Sequence, residues 1–270
     1  MAVINTNVSA SIASNALVKN ERSLSKAMAQ LSTGSRINNA GDDAAGLAIS
    51  ITMTSQIKGL EQAVRNSNDG ISIAQTADGA LSEVTNMVQR MRELAVQASN
   101  GALSATERGY LDTEFQALEG AIAKIGTSTE FNGRAILGTS ATGYAITDAS
   151  GATVATVTTT AVATLVTALS AKGLNSTGSA GAALTAADTA LGKLASSRAN
   201  LGAAMNTLAF MADNQANELA NTQASRSRVL DTDYAAATTE LARTQIIQQA
   251  GTAMLAQANQ LPQTVLSLLQ

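Results

Sequence analysis

Residues 57–98 read IKGLEQAVRNSNDGISIAQTADGALSEVTNMVQRMRELAVQA, and this stretch decides the fold. Leu60, Val64, Ile71, Ala74, Leu81, Val84, Val88, Met91, Ala95 and Ala98 fall at steps of three and four residues or their sum, the spacing that keeps an apolar seam on one side of a helix. The spacing predicts one long helix. At about 1.5 Å per residue, roughly forty residues make a rod about 60 Å long, more than a compact domain buries along its length. Other long helices must lie beside it. Near the other end Leu184, Leu191, Leu194, Leu201, Met205, Leu208, Ala212, Leu219 and Val229 repeat the rhythm, so the two ends of the chain are expected to meet.

The composition fits thin helical seams better than a thick interior. Of 270 residues 45% are hydrophobic but only 2% aromatic, with one Pro and no Trp, Cys or His, so Ala, Leu, Val and Ile carry the apolar content. Seventeen basic against twenty acidic residues give a net charge of -3, with no basic stripe to neutralise a phosphate backbone, so nucleic acid is not an expected partner. The first twenty residues lack the basic start and apolar core of a conventional signal peptide, and no run of eighteen apolar residues predicts a membrane span. Without Cys, nothing depends on disulfide chemistry.

In chain order, Val8, Ile12, Leu17, Leu24, Met28 and Leu31 predict a first helix, with Glu21 intruding on its seam. LSTGSRINN at 31–39 breaks that pattern, and Gly41, Asp42 and Asp43 read as a turn whose carboxylate caps the long helix. Gly59, Gly70 and Gly79 inside the long helix each cost about 1 kcal/mol against Ala, which packing must offset. Asn100 and Gly101 stop it. Ser104 with Glu107 is a capping box, and Leu111, Phe115, Leu118, Ile122 and Ile125 predict a shorter antiparallel helix that Gly126 ends.

Between residues 126 and 181 Gly, Ser and Thr dominate. Alternation over 144–147 and 153–158, around a turn with Gly151, predicts a β-hairpin; Val162, Leu165, Val166 and Leu169 fit a short helix or a strand; 175–181 reads as a loop. Thr185 and Asp188 restart a helix, Asp231 to Asp233 offers a break, and Leu241, Ile247, Met254, Ala258, Leu261, Val265 and Leu268 form a last amphipathic helix containing Pro262. Apolar seams thus reach both termini, where chains are normally polar and frayed. Several half-exposed Leu or Val side chains, each worth about 1.5–3 kcal/mol when buried, favour association with other copies of the chain.

Several motifs stand in order along the sequence: INTNVSA at 4–10, LSTGSRIN at 31–38, DDAAGLAI at 42–49, NDGISIAQTADGAL at 68–81, QRMRELAVQ at 89–97, FNG at 131–133 and ANQLPQTVLSLL at 258–269. In these the chain closely resembles bacterial flagellin, from the N-terminus through Gly138 and again from about Leu184. The resemblance implies a mainly α fold: an inner coiled-coil domain of terminal helices (1–43 and 231–270), a helical shell (44–137 and 182–230) and a short variable insert with a β-hairpin (138–181), without a large separate outer domain. It implies a structural subunit that self-assembles, by head-to-tail contacts that do not close, into the extracellular filament used for swimming. The self-assembly residues are then Val8, Ile12, Leu17, Leu24, Leu31, Met254, Leu261, Val265 and Leu268.

The same resemblance implies an export chaperone, a cap protein and hook-filament junction proteins as partners, secretion through the flagellar export apparatus, and no cofactor. Arg90, Leu94 and Glu114 match positions at which enteric flagellins contact the vertebrate flagellin-sensing Toll-like receptor, so host receptors join the expected partners; the plainer reading makes the two charges surface residues and Leu94 a packing residue. Residues 29–50 resemble the epitope of the plant flagellin receptor, with Gly41 where Lys is common. Gln215, Asn217, Asn221 and Gln257 are candidates for setting helix register, and the Thr- and Ser-rich stretches at 153–167 and 176–179 for O-linked glycans.

Three rivals frame the expectation. An enzyme would have to work without His or Cys, the commonest general bases, thiol nucleophiles and zinc ligands. A hook-filament junction protein shares the terminal helices but does not extend into long filaments alone. A secreted coiled-coil effector remains monomeric.

Overall fold

The computed structural model describes residues 6–138, 143–159, 162–170 and 173–267, without the side chains of 154, 163, 170 and 261–267. Among the described residues, α1 (Val8–Thr33), α2 (Ala44–Ala98) and α3 (Ala105–Ser128) are followed by strands β1 (Glu130–Phe131), β2 (Arg134–Ala135), β3 (Gly143–Thr147) and β4 (Thr153–Thr158), then α4 (Val162–Ser170), α5 (Thr177–Leu230) and α6 (Tyr234–Ser267). The fold is mainly α with a small β region, as expected. Two compact units are formed, Met1–Ser55 with Asn221–Gln270, and Gln56–Ala220.

In the first unit α1 and α6 run antiparallel. Leu17, Asn20, Leu24, Ala27 and Leu31 on α1 and Ala237, Leu241, Thr244, Gln248, Gly251, Leu255 and Ala258 on α6 are the covered positions, at alternating steps of three and four. Asn20 sits in the middle of that seam, its Nδ2 donating to the Thr244 carbonyl at 2.7 Å, while Glu21, expected to intrude, faces solvent. A Cβ at Gly251 would collide with Leu17, so that glycine is the hole into which Leu17 fits. Ile247 and Met254, which the sequence reading put on the seam, lie beside it in solvent. The seam prefers the small neighbours Gly251 and Thr244 because they let the two backbones approach.

Gly34 ends α1 in the left-handed region (φ 70°), its N–H donating to the Gln30 carbonyl. The linker then pairs with the α5–α6 break: Thr232 N–H donates to the Gly34 carbonyl and Arg36 N–H to the Leu230 carbonyl. Asp43 caps α2 as expected, its Oδ1 accepting the Gly46 N–H at 2.8 Å.

In the second unit α2, α3 and α5 share one apolar core with α4 and the β3–β4 hairpin. Ion pairs Arg198–Asp78 (2.7 Å) and Arg92–Asp188 (2.6 Å) show α2 and α5 antiparallel, and Arg90–Glu114 (2.9 Å) ties α3 to α2. The buried seam of α2 is Ile57, Leu60, Ala63, Ser67, Gly70, Ala74, Ala77, Leu81, Val84, Val88, Met91, Ala95 and Ala98, so Val64 and Ile71 flank it rather than form it. The α5 seam is likewise lined by Ala180, Ala183, Ala187, Ala190, Leu194, Ser197, Leu201 and Leu208, with Leu184 and Leu191 alongside.

The glycines of α2 have uses. A Cβ on Gly59 would stand 3.2 Å from Ala149 in the β3–β4 turn, and one on Gly70 2.9 Å from Ile146 of β3. The hairpin therefore rests on α2 over these two positions. Its turn is closed by the Asp148 carboxylate, which accepts the Ser150 hydroxyl and the N–H groups of Ser150 and Ala152, bonds that hold its pKa below the ordinary Asp value.

Three local expectations are corrected. Gly126 does not end α3, which continues to Ser128; the glycine is buried where Val162 of α4 packs 3.1 Å from its missing Cβ. Residues 177–181 are helix rather than loop, because Ser176 and Ser179 cap each other's backbone N–H and start α5 there. Thr185 and Asp188 therefore lie inside α5, Thr185 bonding the Gly181 carbonyl and Asp188 the Arg92 guanidinium. The capping box at Ser104 and Glu107 is present in full. FNG, unread as structure, forms the turn of a second hairpin with Asn132 and Gly133 at φ 51° and 74°.

Candidate assembly surface

Helical spacing sorts the candidate assembly residues into two sets. Leu17, Leu24 and Leu31 fall on the α1 seam and are half-buried against α6. Val8 (55% exposed) and Ile12 (65%) lie on the other side of the same helix, and Met254 (65%) stands in solvent beside the α6 seam. The side chains of Leu261 and Val265 and the whole of Leu268 lie outside the described residues. Ile246, Ile247, Val18, Met28 and Tyr234 are further large apolar side chains standing in solvent on these two helices. Sequence reasoning missed Ile246, Val18 and Tyr234 because a single best stripe was sought on each helix, and here a second stripe adjoins it.

Local hydrogen bonds hold this surface in shape. Asn7 caps α1 through the Ala10 N–H and donates its amide to the Ala258 carbonyl at 2.8 Å, joining the start of one helix to the late turns of the other. At the linker Asp42 accepts a charge-assisted bond from Lys26 at 2.9 Å and the N–H groups of Asn38 and Asn39. These bonds, led by Lys26, keep the Asp42 carboxyl below the ordinary Asp range. Residues 29–50, the stretch matched to the plant epitope, thus run from the last turns of α1 through this linker into α2.

A second candidate surface lies on the second unit. Arg90 bridges Glu114 of α3 at 2.9 Å and Glu93 of its own helix at 3.0 Å, all three exposed, and these carboxylates raise its pKa, Glu114 most. Leu94 is fully buried beneath them in the core. Of the register candidates Gln215 alone is buried, its Oε1 accepting from Ser67 at 3.4 Å. Among the described residues no cluster of three or more His, Cys, Asp and Glu could hold a metal ion, and no helix is long and apolar enough to cross a membrane.

Residues 4–142 match the bacterial flagellin N-terminal helical region and residues 184–269 the bacterial flagellin C-terminal helical region. The chain belongs to the bacterial flagellins. This flagellin is 44% identical to a flagellin of Halalkalibacterium halodurans over 99% of its own chain and 100% of that one, and 38% identical to a flagellin of Bacillus subtilis, with 99% of each covered. A flagellar hook-associated protein of Vibrio parahaemolyticus shares the fold at 16% identity and a TM-score of 0.59, covering 70% of this chain and 100% of that one. This flagellin is accordingly a structural subunit of the flagellar filament and not an enzyme. The two arms of the match are the two arms of its helical architecture, and the stretch between them holds β3, β4 and α4.

Proposed function

We propose that this flagellin polymerises through the outward faces of α1 and α6, and that the inward faces serve only to hold those two helices together. One observation carries this division: Val8, Ile12 and Met254 stand in solvent while Leu17, Leu24 and Leu31 on the same pair are already covered by their partner helix. Leu261, Val265 and Leu268 take part in the same assembly. In the filament the terminal helices, 1–43 and 231–270, form the inner layer, 44–137 and 182–230 the shell, and 138–181 the variable insert. The filament is extracellular, reached through the flagellar export apparatus, with an export chaperone covering α6 beforehand, a cap protein guiding insertion and junction proteins joining filament to hook.

Seeded polymerisation followed by electron microscopy tests the division. Burying an Ile or Met is worth about 1.5–3 kcal/mol, so Ile12→Asp or Met254→Asp raises the critical concentration by about ten- to a hundredfold or abolishes growth. Leu24→Ala acts differently, lowering the helix content of the free subunit. Normal growth of both Asp variants overturns the reading.

A second reading is favoured by the exposed Arg90–Glu114 pair: the free subunit is recognised there by a host flagellin receptor. Leu94 then supports the surface from below. Arg90→Ala monomer that signals as strongly as the unaltered protein in receptor-bearing cells rejects it.

A further inference from the structure

With no Cys, His or Trp in the chain, its eight methionines are the side chains most open to oxidation by peroxide. Met1 lies outside the described residues. Met91 is fully buried, and Met53, Met87, Met205 and Met211 are half-buried. Among the described methionines only Met28 (55% exposed) and Met254 (65%) stand in solvent, and both lie on the α1 and α6 pair. Ile247, one heptad before Met254 on the same side of α6, is exposed with it.

We propose that Met28 and Met254 are oxidative modification sites through which a hydroperoxide blocks polymerisation of the free subunit. This rests on the assignment of the outward faces of α1 and α6 to assembly. The thioether sulfur attacks one peroxide oxygen, the O–O bond breaks and an S–O bond forms. Sulfur gives up two electrons, and the departing hydroxide takes the proton of the new S–OH group and leaves as water. A thioether packs against Ile or Val as an apolar group, whereas a sulfoxide oxygen is a strong acceptor that loses its water on burial. Val8, Ile12 and Ile247 have no side-chain donor to offer it. Once a subunit is sealed between neighbours the sulfurs are covered, so the free subunit is the vulnerable form. Reduction of the sulfoxide by a thiol-driven reductase before assembly restores it.

The test treats the full-length unpolymerised protein with hydrogen peroxide, locates sulfoxides by peptide mass mapping and measures the critical concentration before and after treatment. The readout is the ratio of the two values within each protein, taken for the unaltered chain and for a Met28→Leu, Met254→Leu double variant. A ratio of about ten is expected for the unaltered chain, as for one polar group buried without a partner, and near one for the double variant. Sulfoxide reductase with a dithiol returns the treated protein to its starting value. The proposal is overturned if neither methionine is modified, if the modified chain polymerises unchanged, or if the double variant loses assembly to the same degree. Ile12→Asp separates the two readings: when it blocks growth but oxidation does not, only the oxidation proposal falls, and when it grows normally the assembly surface falls too.

Discussion

Replacing Gly70 with Ala sets two known effects against each other. In an exposed helix interior the exchange is worth about 1 kcal/mol in favour of Ala, and at Gly79, where nothing lies within 4 Å of the added carbon, that gain is realised almost whole. At Gly70 the same carbon would sit 2.9 Å from both Cγ1 and Cδ1 of Ile146 and 3.0 Å from Cδ1 of Leu208. Overpacking of this kind costs about 1–3 kcal/mol, so Gly70→Ala nets between no change and about 2 kcal/mol of destabilisation. The two alanines should therefore differ by about 1–3 kcal/mol, with the Gly79→Ala chain the more stable. Urea unfolding of the unpolymerised protein, followed by far-ultraviolet circular dichroism, gives the midpoints, compared at equal slope. Ile146→Val removes the Cδ1 and should return part of the loss, a coupling of about 0.5–1.5 kcal/mol in a double-mutant cycle. If Gly70→Ala raised the midpoint as much as Gly79→Ala, the hairpin would not rest on α2 at that glycine.

Glu119 is half-buried, and burial together with the nearby Asp112 carboxylate raises its pKa. A carboxyl whose folded pKa lies above its unfolded value weakens the fold as pH rises through that interval, so Glu119→Gln should raise the unfolding midpoint at neutral pH and have no effect below the ordinary Glu value of about 4.3. Asp42 has the opposite sign: its lowered pKa means stability present at neutral pH and lost as acid protonates it below the ordinary Asp range, and Asp42→Asn should flatten that acid limb of a melting-temperature profile. Asn20→Leu exchanges a seam amide for an apolar side chain; it should raise the melting temperature while allowing the helix pair more than one register, seen as mixed filament forms by electron microscopy.

The existence and span of the long helices were legible because a seam repeated over many turns is hard to produce otherwise, and the hairpin because β3 and β4 alternate around Gly151. What could not be read was which of two adjacent stripes faces inward. Apolar size pointed to Val64, Ile71, Ile247 and Met254, whereas the packed positions are Ala63, Ser67, Gly70, Thr244 and Gly251, chosen for closeness rather than for bulk. The same bias hid Asn20. Gly126 misled for a related reason, since a glycine near a helix end reads as a stop although here it makes room for Val162. The division of the assembly candidates on α1 and α6 into inward and outward members needed coordinates.

Asp112, buried on α3, takes the Leu174 N–H at 2.7 Å just before α5 begins, and the Ile136 N–H donates to the Thr129 carbonyl at 3.0 Å just after α3 ends. Both margins of the intervening segment are thus fastened locally, independent of what the segment contains. Lengthening an anchored excursion is cheap, about 0.6 kcal/mol for each doubling. A chain built this way can exchange the segment between these anchors, short or long, while leaving the register of α3 and α5 untouched.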